Sequence, residues 1–220
     1  MTAKEKLNEE RDEIKLSRMN RILENAFILF SQKGIDTIAM TDIAKKAEIG
    51  VASLYRYYET KDEIAIRTAI WAWKKQKKAI LPQIFTEEFD SLNGLMQLEK
   101  IITLFIELFE NEHDFFRFIY FFDSYVARTE ITPERLADYE KIIESVQLIV
   151  KKSIEKGIND GSINSKFNNE TNELYFTLMH TIFSITQKLC LSGNMLNMDK
   201  IISGKKELET LKAILIGGLK

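Results

Sequence analysis

The chain has 220 residues, 45% hydrophobic and 29% charged, a length and balance that suit one or two globular domains and exclude disordered and collagen-like chains. Only two prolines and nine glycines occur, which disfavours many turn-bounded strands and favours long helices with short connections. The formal net charge of −2 divides unevenly: residues 1–80 hold 16 Lys plus Arg against 12 Asp plus Glu, a net +4, and residues 81–220 hold 15 against 21, a net −6, so the first segment is the better match for a polyanionic partner.

The first residues, "MTAKEKLNEERDEIK", carry charge where a secretory leader needs an apolar stretch. The single cysteine, Cys190, can neither close an intrachain disulfide nor build a structural zinc site. No run of about 18 uncharged apolar residues occurs, since the nearest candidate, "FFRFIYFFDSYV", is interrupted by Arg117 and Asp123. The expectation is a cytoplasmic, all-α protein of about nine helices that does not enter the membrane.

In chain order, Met19, Ile22, Leu23, Ala26, Phe27 and Phe30 recur at three- and four-residue spacing and predict a first helix over 16–33, stopped by Gly34. After the link "GIDTIAM", Thr41 is placed to cap a second helix, with Asp42 at its positive end and Ile43, Ala44 and Ala47 as a small apolar stripe. The pattern pauses at "EIG" and restarts at Val51, with Leu54 and Tyr58 four apart on the buried side. Thr60 and Glu63 form a capping box, so another helix begins at Lys61 and runs toward Pro82. Further helices are predicted over 95–110, 114–127, from Thr132 and Pro133 to Lys156 before Gly157, over 170–191 after the loop "NDGSINSKFNN", and over 205–216.

Two short helices joined by a tight turn and preceded by a supporting helix make a helix-turn-helix, whose second helix enters the DNA major groove. Tyr55 and Tyr57 suit that setting, because a phenol reaches phosphate oxygens with only two side-chain torsions to fix. Lys61 at a helix N-terminus opposes the dipole, which makes sense if ammonium and backbone donors share a phosphate.

Taken together, "RILENAFILF", "TDIAKKA" and "SLYRYYETKDEI" resemble the TetR family of transcriptional repressors over roughly Arg21 to Ile64. The resemblance implies a DNA-binding domain at 1–62 and a helical ligand-binding and dimerisation domain at 63–220, in a homodimer that binds a double-stranded operator and responds to a small-molecule inducer. Carried over by position, the DNA-contacting residues are Thr41, Val51, Ala52, Ser53, Tyr55, Tyr57 and Lys61, with Lys45, Lys46, Arg18 and Arg21 as weaker phosphate contacts. Where members commonly have Gly, Val and Ser at the turn, this chain has Glu48, Ile49 and Gly50. A positive φ at Glu48 costs about 1 kcal/mol, and Gly50 forgoes the capping hydroxyl.

The C-terminal segment is less explicit. Its aromatic residues read either as packed core or as the wall of an apolar inducer cavity, with Phe105, Phe109, Phe118, Phe122, Tyr125, Tyr139, Phe176 and His180 as candidate lining residues. The resemblance makes the last two helices the dimer interface, through Leu174, Leu178, Thr181, Ile182, Ile185, Leu189, Leu208, Leu211, Ile214 and Leu215. Glu110 and His113 form half of a di-iron motif, but His180 has Thr177 where the second half needs Glu. With no phosphate loop, no dinucleotide fingerprint and no nucleophile beside a base, no enzyme, metal or cofactor role is expected. Control by a protein partner in place of a small molecule remains the alternative.

Overall fold

The computed structural model describes residues 3–193 and 195–220, with side chains from Glu5 onward. All regular structure among the described residues is helical: α1 (Ala3–Lys33), α2 (Met40–Lys46), α3 (Val51–Tyr57), α4 (Lys61–Ile84), α5 (Glu87–Ser91), α6 (Gly94–Asn111), α7 (His113–Arg128), α8 (Pro133–Asn159), α9 (Thr171–Ser192) and α10 (Gly204–Leu219), with single 3₁₀ turns at Ser165–Phe167 and Asn197–Lys200. The helix absent from the sequence reading is α5, five residues started by Thr86, whose Oγ1 accepts from Phe89 N at 3.1 Å. Helix α1 begins at Ala3, well before Leu16. From Glu5 to Arg18 it is mostly helix-forming charged residues, with Leu7, Ile14 and Leu16 among them, and all are exposed, so it carries no buried stripe for periodicity to find.

Packing divides the described chain into two compact units: residues up to Lys74 with Phe118–Tyr139, and Lys75–Arg117 with Glu140–Lys220. In the first, Ile22, Ala26 and Phe30 of α1, Ile43 and Ala44 of α2, Leu54 of α3 and Ile64, Ala65 and Ala69 of α4 are buried together. Phe118 of α7 packs on Phe27 and Phe30, with ring centroids 5.3 and 6.3 Å apart. Tyr125 donates its hydroxyl to Asp62 Oδ1 at 2.5 Å, and Arg135 of α8 donates to Asp62 Oδ2 at 3.0 Å. Burial of Asp62 would raise its carboxyl pKa, but the two hydrogen bonds and the charges of Arg135 and Lys61 outweigh it and hold the group below the ordinary carboxylate value. The first turn of α4 is thereby tied to the end of α7 and the start of α8.

In the second unit, α8 runs through Gly157, which is a crossing point with α6 and not the helix stop that the sequence reading made it. A Cβ on Gly94 would stand 1.9 Å from Gly157 N and 2.5 Å from Ser153 O, so the two backbones touch where either side chain would intrude. The free donors of the α6 N-terminus are met there: Gly94 N by Asp160 Oδ2 at 2.8 Å, Leu95 N by Ser162 Oγ at 3.1 Å and Met96 N by Asn93 Oδ1 at 2.9 Å. Phe105 of α6 meets Phe116 of α7 and Phe183 of α9 edge to face, at 5.0 and 4.9 Å.

Gly94→Ala is expected to cost at least the roughly 1–3 kcal/mol of ordinary overpacking, because backbone rather than a flexible side chain must yield. Thermal unfolding followed by circular dichroism should show a melting temperature lower by several degrees; an unchanged value would contradict the α6–α8 contact.

Candidate nucleic-acid interface

Helix α2 starts at Met40 with Ala39 at its N-cap, and Asp42 caps it, accepting from Ala39 N at 2.9 Å. Thr41, read from sequence as the cap, lies inside the first turn and is exposed, because the acid one residue later reaches back to the free donor. At the other end of α2, Glu48 N donates to Lys45 O at 3.2 Å and Ile49 N to Ala44 O at 3.0 Å, the pairing of a Schellman turn. That turn needs a left-handed residue, and Glu48 supplies it at φ 55°, the strained position anticipated from the sequence. Gly50 follows in extended conformation as the N-cap of α3 and offers no capping side chain.

Helix α3 is seven residues long and two-sided. Leu54 (0% exposed) points into the core, and Tyr58 (1%), just past its end, does the same. Burial pushes the Tyr58 phenol up to about 12, so the group stays neutral in the core at neutral pH. On the other side Val51, Ala52, Tyr55 and Arg56 are exposed, Tyr55 by 48%. Ser53 is half-buried, and its Oγ accepts from Arg56 Nη2 at 3.0 Å. Arg56, absent from the sequence-derived contact set, therefore orients Ser53 and adds a cation to the outward face. Its position one turn after Ala52 carried that signal. Tyr57 is half-buried, in a cleft shared with Leu16, Met19 and Asn20 of α1. Thr41, Lys45 and Lys46 of α2 and Arg18 and Arg21 of α1 are exposed.

Helix α4 opens with half of the expected box: Thr60 Oγ1 accepts from Glu63 N at 3.1 Å, while the Glu63 carboxylate accepts from Glu59 N at 3.0 Å, one residue before the cap. Lys61 is different. Its ammonium donates to the carbonyls of Ile35, Asp36 and Ile38 at 3.0, 3.1 and 3.2 Å. All three N–H donors are thus committed to the link between α1 and α2, and the sequence reading that aims them at a phosphate is corrected.

The C-terminal candidates are also redistributed. Leu174, Leu178, Ile182 and Leu208, assigned from the resemblance to a dimer face, are 8, 3, 3 and 2% exposed and belong to the chain's own core. Thr181, Ile185, Leu189, Leu211 and Leu215 are half-buried and Ile214 is 66% exposed. Among the cavity candidates, Phe176 (47% exposed) and His180 lie on the surface of α9, their rings 5.6 Å apart. Phe118 fills the core of the first unit, Phe122 packs there on Tyr139 at 4.9 Å, and Tyr125 is bonded to Asp62. Phe105 and Phe109 belong to the second unit.

Residues 22–68 match the family model described as bacterial regulatory proteins, tetR family. Over 45 residues the chain is 47% identical to the biofilm operon icaADBC HTH-type negative transcriptional regulator IcaR of Staphylococcus epidermidis and 44% identical to IcaR of Staphylococcus aureus. The aligned segment is 20% of this chain and about a quarter (24%) of the length of those relatives. The whole fold resembles the fatty acid degradation regulator FadR from Bacillus halodurans (TM-score 0.69, 14% identity, 92% of this chain and 96% of that one). It also resembles FadR from Bacillus subtilis in complex with stearoyl-CoA (0.67, 15%, 91% and 98%) and AibR in complex with isovaleryl coenzyme A and operator DNA (0.67, 14%, 90% and 98%). Residues 22–68 thus carry a domain of the tetR family of bacterial regulatory proteins, within a chain whose fold is similar to that of these regulators.

Proposed function

We propose that the protein is a cytoplasmic, sequence-specific repressor that binds a two-fold symmetric operator as a homodimer and leaves it when a small molecule binds. The observation that carries the DNA-binding part is the outward face of α3, where Val51, Ala52, Tyr55 and Arg56 project from a helix held by Leu54 and Tyr58. Val51 and Ala52 supply small apolar contacts for thymine methyls, and Ser53 and Arg56 supply polar groups for base edges. Tyr55, Tyr57, Thr41, Lys45, Lys46, Arg18 and Arg21 fix the register on phosphates. Lys61 contributes by clamping the α1–α2 link that α2 hangs from.

For the dimer face we propose the exposed side of α9 and α10, centred on Phe176, His180 and Ile214, with Leu211 and Leu215 at its edge. Large apolar side chains left in water on two neighbouring helices support that reading.

Selection of duplexes from a random pool should enrich a two-fold symmetric site that binds two chains with a steep salt dependence. Tyr55→Phe removes one hydrogen bond to a charged acceptor, about 1.5–3 kcal/mol, and should weaken that site at least tenfold with the fold intact. Ile214→Glu should yield one-chain complexes. Absence of an enriched sequence, or wild-type affinity in Tyr55→Phe, would remove the α3 assignment.

The inducer reading is supported by an open groove of about 430 Å³ in the second unit, lined by Phe109, His113, Leu189 and Ile202 with Lys200 and Lys205. It pairs an apolar wall with cations, although Lys205 is ion-paired to Glu110 at 2.7 Å. Two neighbours in fold bind acyl-CoA esters, so stearoyl-CoA is the probe. At about 100 times its Kd it should stabilise the protein by about 2.7 kcal/mol, seen as a melting temperature several degrees higher than with CoA. If no acyl-CoA shifts the melting temperature of a protein that still binds DNA, control by a protein partner takes precedence.

A further inference from the structure

Helix α1 begins well before the part of it that is buried in the domain it supports. Every residue from Glu5 to Arg18 is exposed, and burial begins only at Met19 and Ile22. At 1.5 Å per residue those fourteen residues make a rod of about 20 Å in water. The rod leaves the domain beside α3: Leu16, Met19 and Asn20 of α1 share a cleft with Tyr57 and Tyr58, at the end of the helix whose outward face carries Tyr55.

The charges on this rod are sorted by side. Arg11, Lys15 and Arg18 stand at i, i+4 and i+7 and make one stripe free of acids, while Glu5, Glu9 and Glu13, each four apart and joined by Asp12, occupy roughly the opposite side with Lys6 among them and Glu10 at its border. That arrangement works against the helix itself. Arg11 with Lys15, Glu5 with Glu9 and Glu9 with Glu13 are like-charge pairs at i, i+4, each destabilising an exposed helix by about 0.2–0.5 kcal/mol, against the one opposite-charge pair at that spacing, Lys6 with Glu10. A pattern unfavourable for the isolated helix yet sorted into a cationic edge is suited to a linear polyanion.

We propose that the first half of α1 is a second DNA-contacting arm, whose Arg11, Lys15 and Arg18 stripe lies along phosphates flanking the half-site read by α3. The inference rests on the DNA-binding reading above and extends it in length: from Arg11 to Arg18 the stripe is about 10 Å long, about three base pairs beyond the half-site at 3.4 Å each. The acidic stripe faces away from the duplex, so the contact is one-sided and carries no base information; it adds affinity and salt dependence on every sequence.

The test compares wild-type protein with R11Q/K15Q/R18Q on the selected duplex, in its full length and with about three flanking base pairs removed from each end. The triple variant is expected to lower the slope of log affinity against log salt by about five units for the dimer, since it removes three phosphate contacts per chain and each contributes about 0.9. Its affinity should fall equally for the selected and a scrambled duplex, and trimming the flanks should weaken wild type but not the variant. A wild-type salt slope in the triple variant, while Tyr55→Phe still weakens binding, would overturn the arm and leave the α3 reading standing. So would a changed mass of the free protein by light scattering with an unchanged slope, which would assign the rod, with Leu7 and Ile14 on it, to pairing between copies. If wild type selects no duplex, the DNA-binding reading itself fails and the arm with it.

Discussion

A seven-residue helix cannot hold itself in water, because the entropy of its first turn is not repaid by so few hydrogen bonds. What α3 presents to a partner therefore depends on the burial of Leu54 and Tyr58 beneath it and on the left-handed turn at Glu48 before it. The turn fixes the angle at which the chain leaves α2, and the two buried residues fix the rotation of α3 about its axis. Together they place Val51, Ala52, Tyr55 and Arg56 outward as one face. A glutamate at a position suited to glycine is a local strain of about 1 kcal/mol, small against the buried contacts on both sides of it.

The same unit is closed by polar contacts that reach far along the chain. Asp62, one residue into α4, receives Tyr125 and Arg135, and Lys61 beside it holds the carbonyls that end the α1 link. Two adjacent residues of opposite charge thus tie the start of α4 to α7 and α8 on one side and to the supporting helix on the other. Any change in α7 or α8 that moves Tyr125 or Arg135 bears on Asp62 directly, a short mechanical route from outside the helix-turn-helix to the helix that follows it.

The parts legible in the sequence are those decided by near neighbours. The Thr60 cap on Glu63 N, the four-residue spacing of Leu54 and Tyr58, and the strained position of Glu48 all involve residues within a turn or two of each other. The parts that were not legible depend on distant partners. Lys61 reads as a phosphate ligand until Ile35, Asp36 and Ile38 appear around it. Gly157 reads as a helix stop because its reason for being glycine is tertiary, a Cβ there meeting Ile163 Cδ1 at 2.6 Å and the Gly94 backbone at 3.3 Å. Helix α9 has apolar residues on more than one side, so spacing could not tell Leu174, Leu178 and Ile182, which face the chain's own core, from Phe176, which does not. The first half of α1 has no buried side at all, leaving only helix propensity to announce it.

The central claim is that α3 reads base edges in the major groove, and methylation interference on the selected duplex tests it most directly. Dimethyl sulfate modifies guanine N7 in the major groove and adenine N3 in the minor groove, so the two surfaces are probed in one experiment. N7 methylation within two half-sites, about one helical turn apart or a multiple of it, is expected to abolish binding, and the Tyr55→Phe protein to give the same pattern more weakly. Interference confined to adenine N3, or spread evenly along the duplex, would contradict it.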